Sequence, residues 1–378
     1  MQRSRILLII SAIVFLASLF FLTLQEREKF AGPGALLYYR ISDTLDYTKP
    51  SMDAFAPFSE FTEMLTKVDT YSKAQVIMFE TLNRIDLMMV KMQWPVTLKY
   101  IYGLAGSDNI ASKSLLAIKL KACYDQATLD TIIPKTYIME NGLDMDRFIT
   151  DTRGGGNLGL YILKKNVQRQ EGFVITNDRA TIIDGFNPVS DFVVCQELLQ
   201  NPLLVAKRKV NMRIYLLVIV GASGGGMYMY NDGFMYYTPE AFRAGSDKTE
   251  ENITTGYIDR QVYVDNPLTV RDLLLSLAPS ASNILWGNIV GLMQKLCKCY
   301  QPLFQDANKA IPGTKFLIYG CDIAPSSDYE CKLMEVNKGP DLSYKDERDG
   351  KLKREMVREA LGMVQGTAPL NFFNCAAK

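Results

Sequence analysis

The run Lys209-Val-Asn-Met-Arg-Ile214 leaves little choice of conformation. Polar and apolar residues alternate with the period of a β-strand. Lys209, Asn211 and Arg213 fall on one face, and Val210, Met212, Ile214 and Leu216 on the other. Strand text continues over 210–221 and resumes over 227–237, where Asn231-Asp232-Gly233 predicts a hairpin turn. Further strands are predicted at 161–164, 192–199, 315–324 and 331–337, and a strand broken by Pro134 at 131–138. Helical spacing marks 58–89, 112–127, 284–300 and 351–365. Strands in hairpins, mixed with helices, indicate an α+β fold and not a doubly wound α/β one.

A polar stripe on an otherwise apolar strand needs partners, because unpaired buried charge is costly. The chain offers few kinds. It has 378 residues and no histidine, which excludes Ser-His-Asp and Cys-His triads and zinc sites with imidazole ligands. Its 42 basic residues face 41 acidic ones, so a generic nucleic-acid binder is not indicated. The length suits two or three subdomains, read here as 1–29, 30–107, 108–200, 201–366 and a tail 367–378.

Residues 6–24 carry no charge and as a helix would span roughly 28 Å, close to a bilayer core. A retained N-terminal membrane anchor is expected; a cleaved signal is the alternative. Arg3 and Arg5 on one side face Arg27 and Lys29 on the other, so charge does not orient it. The seven cysteines are odd in number and do not read as a disulfide framework, and most are expected as buried free thiols of a reducing compartment. Asn252-Ile253-Thr254 would accept a glycan if it faced a secretory lumen. The free thiols favour a cytosolic domain with the anchor inserted N-terminus out.

Gly154 to Gly159 formally matches G-x-G-x-x-G, but it follows a predicted helix and opens a strand, the reverse of a dinucleotide fingerprint. In Leu333-Met-Glu-Val-Asn337, Glu335 and Asn337 share a strand face, with Asp322 on the preceding strand. Two carboxylates and an amide converging this way form an all-oxygen site suited to Mg²⁺. Lys164 ends a strand and can meet an anion.

In order along the chain, these pieces resemble the tubulin tyrosine ligase-like family. The resemblance runs through Ser112-Lys-Ser-Leu-Leu116, Ile133-Pro-Lys-Thr-Tyr137, Tyr161-Ile-Leu-Lys164, Val194-Cys-Gln-Glu-Leu-Leu199, Arg208-Lys-Val-Asn-Met-Arg213, Cys321-Asp322 and Met334-Glu-Val-Asn-Lys-Gly-Pro340. It covers roughly residues 109 to 364. It implies an ATP-grasp fold, ATP and Mg²⁺, and a reaction joining an amino acid such as glutamate, glycine or tyrosine to a protein carboxylate through an acylphosphate. The acceptor it implies is an acidic protein segment such as a tubulin tail. By the same resemblance Lys113 and Lys164 contact phosphates, Gln196, Glu197 and Leu199 frame the adenine, and Lys209 and Asn211 line the nucleotide pocket. Arg213 and Thr254 serve catalysis, and Asp322, Glu335 and Asn337 hold Mg²⁺.

The chain departs from the family pattern at named positions. Asn252 and Thr255 replace a histidine and an asparagine, Asn211 an aspartate and Tyr236 an arginine, and Gln170 stands in place of one glycine of a pair. These departures leave a second reading open, a degenerate membrane-anchored ATP-grasp binding or scaffold protein without turnover.

Overall fold

The structure is a computed structural model and describes residues 36–41, 65–79, 82, 85–154, 158–166, 172–221, 224–254, 260–342 and 346–375. Segment 6–24 lies outside them. Among the described residues no helix is long and apolar enough to cross a membrane.

The chain forms an α+β fold on two sheets. Its first strands are β1 (Leu36–Ile41), β2 (Leu65–Lys67), β3 (Val76–Phe79) and β4 (Tyr100–Tyr102). They run parallel, β1 with β2 and β3, and β3 with β4. All of Val76 to Phe79 is buried, as a parallel strand covered on both faces requires. The helix expected over 58–89 is therefore overturned among the described residues. Its apolar positions divide between β2, β3 and a short helix Ile85–Lys91. A continuous apolar run buried on both faces mimics part of a helical pattern.

A second sheet is antiparallel: β5 (Thr136–Ile138), β6 (Tyr161–Lys165), β7 (Phe173–Thr176) and β8 (Phe192–Glu197), in the order β5-β8-β6-β7. One face packs Tyr137, Leu163 and Cys195 around Phe148 and Ile182. The other buries Leu160, Ile162 and Leu198, and alternation puts Lys164 and Gln196 on that same side. Two helices lead in, Lys113–Cys123 and Gln126–Ile132, where one was expected over 112–127. Asp125 separates them by capping the second: its Oδ1 accepts from Thr128 N at 2.7 Å. The second helix takes Thr131 and Ile132, so the strand expected over 131–138 shrinks to Thr136–Ile138.

The rest of the chain completes the large sheet with β9 (Leu204–Val205), β10 (Arg208–Gly221), β11 (Gly224–Tyr237), β12 (Thr314–Pro325), β13 (Cys331–Asn337) and β14 (Phe372–Asn374). The order is β14-β11-β10-β12-β4-β3-β1-β2, with β13 also on β12 and β9 on β10. The β10–β11 hairpin turns after Gly221, not at Asn231-Asp232-Gly233. That triplet instead makes a bulge, with Ile214 opposite Gly233 and Leu216 opposite Met229. Asp232 Oδ1 accepts from Gly233 N at 2.7 Å and Arg271 N at 2.9 Å, which satisfies the kinked backbone. A Cβ at Gly233 would lie 2.1 Å from Arg213 O, so the glycine serves close strand approach.

The helix Pro279–Asn308 covers the large sheet. It buries Leu285, Ile289, Leu292, Leu296, Tyr300 and Phe304 at three- and four-residue spacing. Cys123 and Cys299 form a disulfide that joins this helix to Lys113–Cys123. This corrects the expectation for those two cysteines, while Cys195, Cys297, Cys321, Cys331 and Cys375 are buried free thiols. The pairing escaped notice because it joins positions 176 residues apart, whose approach only the tertiary fold reveals.

Candidate functional site

The site grows from one transverse row of the large sheet. Arg213 on β10 lies directly opposite Asp322 on β12, and Asp322 directly opposite Glu335 on β13. Directly opposite residues project to the same face, so the three side chains meet. Arg213 Nε donates to Asp322 Oδ1 and Nη2 to Oδ2 at 3.0 Å, a bidentate pair in which each residue is 8% exposed. A Cβ at Gly320 would stand 2.6 Å from Arg213 Cδ, so glycine makes room for the guanidinium stem. After Asp322 the β12–β13 register shifts, and Ile323 pairs with Leu333. The extra residue, Met334, lines a cleft between the two sheets.

Across that cleft stands the small sheet. Lys164 Nζ donates to Gln196 Oε1 at 2.8 Å, and Gln196 Nε2 donates to Thr136 Oγ1 at 2.9 Å. The amide assigned to the adenine is thus spent on orienting Lys164. Glu197 points away and is exposed, and Leu199 is half-buried. Lys113 opens its helix at the cleft beside Leu116 and Ala117, with Ile133 and Val194 as further apolar walls. Lys209 is 4% exposed. Asn211 carries a buried Oδ1 without a hydrogen-bond partner.

The electrostatics are unbalanced. Lys164, Lys113 and Arg213 act on Glu335, Arg213 and Lys164 also act with Asp322, and Lys209 lies close enough to Lys164 to be repelled by it. Burial lowers Lys164 to about 8, with repulsion from Lys113 and against the pull of Glu335 and Asp322. Burial, helped by repulsion from Lys164, lowers Lys209 to about 8 as well. Burial raises Asp322 to about 6 despite Arg213. At Glu335 burial is outweighed by Lys164, Lys113 and the Asn337 amide, and its carboxyl is held below its usual value. A surplus of desolvated cations is a receptor for a multiply charged anion.

The Mg²⁺ assignment can be tested on this geometry. Asn337 Nδ2 stands between the carboxylates, 3.4 Å from Asp322 Oδ2 and 3.2 Å from Glu335 Oε1. A positively polarised group between two buried carboxylates occupies the place a cation would take. Turning the amide would present its oxygen instead. Two carboxylates and an amide oxygen fit a hard cation.

The structure thus brings together Lys164, Gln196, Lys209, Arg213, Asp322, Glu335 and Asn337, with Lys113 at the cleft mouth. Thr254 follows Ile253, which packs on Leu160, Ile162 and Leu198, the small-sheet face that carries Lys164. Asn252 is buried, with Nδ2 donating to Ser246 O at 2.6 Å and Lys248 O at 2.9 Å. The nitrogen a glycan would need is therefore already engaged. Sequence reading missed Thr136, Gly320 and the Lys338–Asp108 ion pair. That pair ties the residue after Asn337 to the helix just before Lys113. Only the position of Lys338 beside Asn337 could have hinted at it.

Residues 101–371 match the tubulin-tyrosine ligase family. The chain belongs to that family. It is 24% identical over 233 residues to a probable beta-tubulin polyglutamylase of Tetrahymena thermophila, covering 55% of this chain and 19% of that protein. It is 23% identical over 229 residues to tubulin glycylase 3B of Drosophila melanogaster, covering 57% of this chain and 30% of that protein. It is 27% identical over 195 residues to the probable tubulin polyglutamylase TTLL9 of Mus musculus, covering 48% and 40%. The chain thus spans well under half the length of these relatives. The tubulin-tyrosine ligase match takes in the whole small sheet, strands β9 to β13 of the large one and every residue of the transverse row.

In this tubulin-tyrosine ligase member the cation surplus has a price in stability. The fold holds Lys209 at about 8 against an ordinary value of 10.5, so its charged form is disfavoured in the fold. Lys209→Met is expected to stabilise the ligand-free protein at pH 7 by about 1–3 kcal/mol. The gain shrinks as pH rises from about 8 toward 10.5, where the folded lysine is already neutral. Thermal unfolding at pH 7 and pH 10 measures it. A less stable variant at pH 7 would contradict the strain.

Proposed function

We propose that the chain is an ATP- and Mg²⁺-dependent ligase of the ATP-grasp type. It joins an amino acid to a carboxylate of an acidic protein segment, such as a tubulin tail. The observation that carries this reading is the surplus of buried cations around Asp322 and Glu335. The names of the relatives, tubulin polyglutamylases and a glycylase, support the ligase class.

In the proposed reaction the acceptor carboxylate oxygen attacks the γ-phosphorus of ATP, ADP leaves, and an acylphosphate forms. The amine of the incoming amino acid then attacks the acyl carbon. Phosphate leaves, and the amine proton passes to solvent. Lys113, Lys164 and Lys209 hold the phosphates, and the apolar walls at Leu116, Ala117, Ile133 and Val194 take the base. Arg213, pinned by Asp322, presents its remaining N–H groups to the oxygens that gain charge. Asp322, Glu335 and Asn337 would hold Mg²⁺, which neutralises phosphate charge and polarises the phosphorus centre. Thr254 follows Ile253, which packs on the same face. No histidine is available to move the amine proton, and this scheme needs none.

ATP hydrolysis and amino-acid transfer to acidic peptides, followed by mass, test the reading. No turnover in the wild type, or equal turnover after Glu335→Gln, would sink it. Proton linkage gives a second measure. An anion restores the charge that burial removes from Lys164 and Lys209, so ATP binding takes up protons near pH 8. Affinity is expected to fall as pH rises from 7 to 9. Calorimetry at pH 8 in two buffers of different ionisation enthalpy reads the uptake directly.

The anchor is a further part of the proposal. Residues 6–24 hold the chain at a membrane with the ligase domain on the cytosolic side. Protection of the domain from protease in sealed vesicles, with the lumen inside, would refute that side.

A further inference from the structure

Arg213 is held on more than its Asp322 side. On β11, Tyr236 lies opposite Asn211 and Phe234 opposite Arg213, so both rings project to the face that carries the site. Tyr236 is therefore the diagonal neighbour of Arg213, and the guanidinium carbon stands 5.0 Å from the centre of its ring. The ring is itself backed by Phe234, whose centroid is 5.4 Å away in an edge-on contact. On the stem side Gly320 allows Arg213 Cδ to lie where a Cβ would clash at 2.6 Å.

These contacts divide the guanidinium. The Nε–Nη2 edge is spent on Asp322. The guanidinium carbon sits over the face of the phenol. The edge through Nη1 is left, and it can meet an oxyanion only while the plane stays fixed. A bidentate pair sets the guanidinium in line with the carboxylate, but it does not stop the arginine and aspartate from swinging together about the strand. A ring on the face removes that motion.

We infer that Tyr236 is a positioning residue for Arg213. Its ring fixes the guanidinium plane so that the Nη1 edge faces the carboxylate or phosphoryl oxygens of the reacting group. The ring supplies the function, and the hydroxyl is dispensable. This rests on the ligase reading for its kinetic consequence, though not for the geometry. A cation over a desolvated ring contributes up to about 2 kcal/mol, or roughly thirtyfold.

The experiment compares Tyr236→Phe and Tyr236→Leu in the full chain, with two readouts. The first is kcat, KM for an acidic acceptor peptide and Kd for ATP with Mg²⁺. Tyr236→Leu is expected to lower kcat by about ten- to thirtyfold with Kd for ATP within about twofold of wild type. Tyr236→Phe is expected to recover most of the rate. The second readout needs no turnover: hydrogen exchange at Arg213 Nε in protein labelled with ¹⁵N-arginine, assigned by Arg213→Lys. Exchange should quicken at least about tenfold in Tyr236→Leu and stay slow in Tyr236→Phe, as loss of the covering ring permits opening. If wild type shows no turnover, the ligase reading fails and the exchange rates alone decide this one. Unchanged exchange in Tyr236→Leu, or a phenylalanine variant as impaired as the leucine one, overturns the inference.

Discussion

Glu335→Gln is expected to abolish turnover, by at least about a thousandfold, while the protein stays folded. Glutamine keeps the size of the side chain and can still meet the Asn337 amide, now 3.2 Å from Glu335 Oε1. What it removes is one of the two carboxylates opposed to Lys164, Lys113 and Arg213. The cation site then has one charge fewer, and the lysines lose a counter-charge that favours their protonated forms. Two measurements separate these effects from unfolding. Thermal unfolding should fall only modestly, because the bidentate guanidinium contact is made by Asp322 and not by Glu335. Calorimetry should show Mg²⁺-dependent tightening of ATP binding in the wild type and its loss in the variant. A variant that turns over at the wild-type rate would remove Glu335 from the chemistry.

Asp322→Leu is expected to have the largest effect on stability. It leaves Arg213 buried at 8% exposure without its bidentate partner, and breaking a buried pair on one side costs about 3–5 kcal/mol. The midpoint of thermal unfolding should fall by roughly 5–15 °C. The paired change Asp322→Leu with Arg213→Met should recover most of that loss, since it removes both charges and keeps the volume apolar. A double-mutant cycle in urea measures the coupling. Additive losses would mean that the pair is not coupled. The contrast with Lys209→Met is instructive: one removes a charge that has its partner, the other a charge that waits for a ligand.

Much of the site was legible in local text. The i, i+2 pattern of Lys209, Asn211 and Arg213, and that of Glu335 and Asn337, each place residues on one strand face whatever the rest of the chain does. Strand β13 was legible to its ends for the same reason. Partners were less accessible. That Asp322 grips Arg213 depends on register between strands about a hundred residues apart, and that Gln196 orients Lys164 depends on β6 pairing with β8. The hairpin turn was misplaced because Asn-Asp-Gly suits a bulge as well as a turn. The deciding factors were Arg271 and the Arg213 carbonyl, neither of them local. The 58–89 region failed because burial on both faces of β3 erases the alternation that identifies a strand.

The junction between β4 and β12 has a consequence for how the chain is made. Tyr100 pairs with Thr314 and Tyr102 with Phe316, so the parallel strands near the start receive their neighbour only after a long wait. A ribosome adding about 5–20 residues per second needs roughly 10–40 s to cross that gap. During that time β4 presents an open edge to other chains. Contacts of such high sequence separation also slow refolding from denaturant. A truncation that ends before β12 would lack the strand that closes this edge, and it should be recovered as aggregate where the full chain is not.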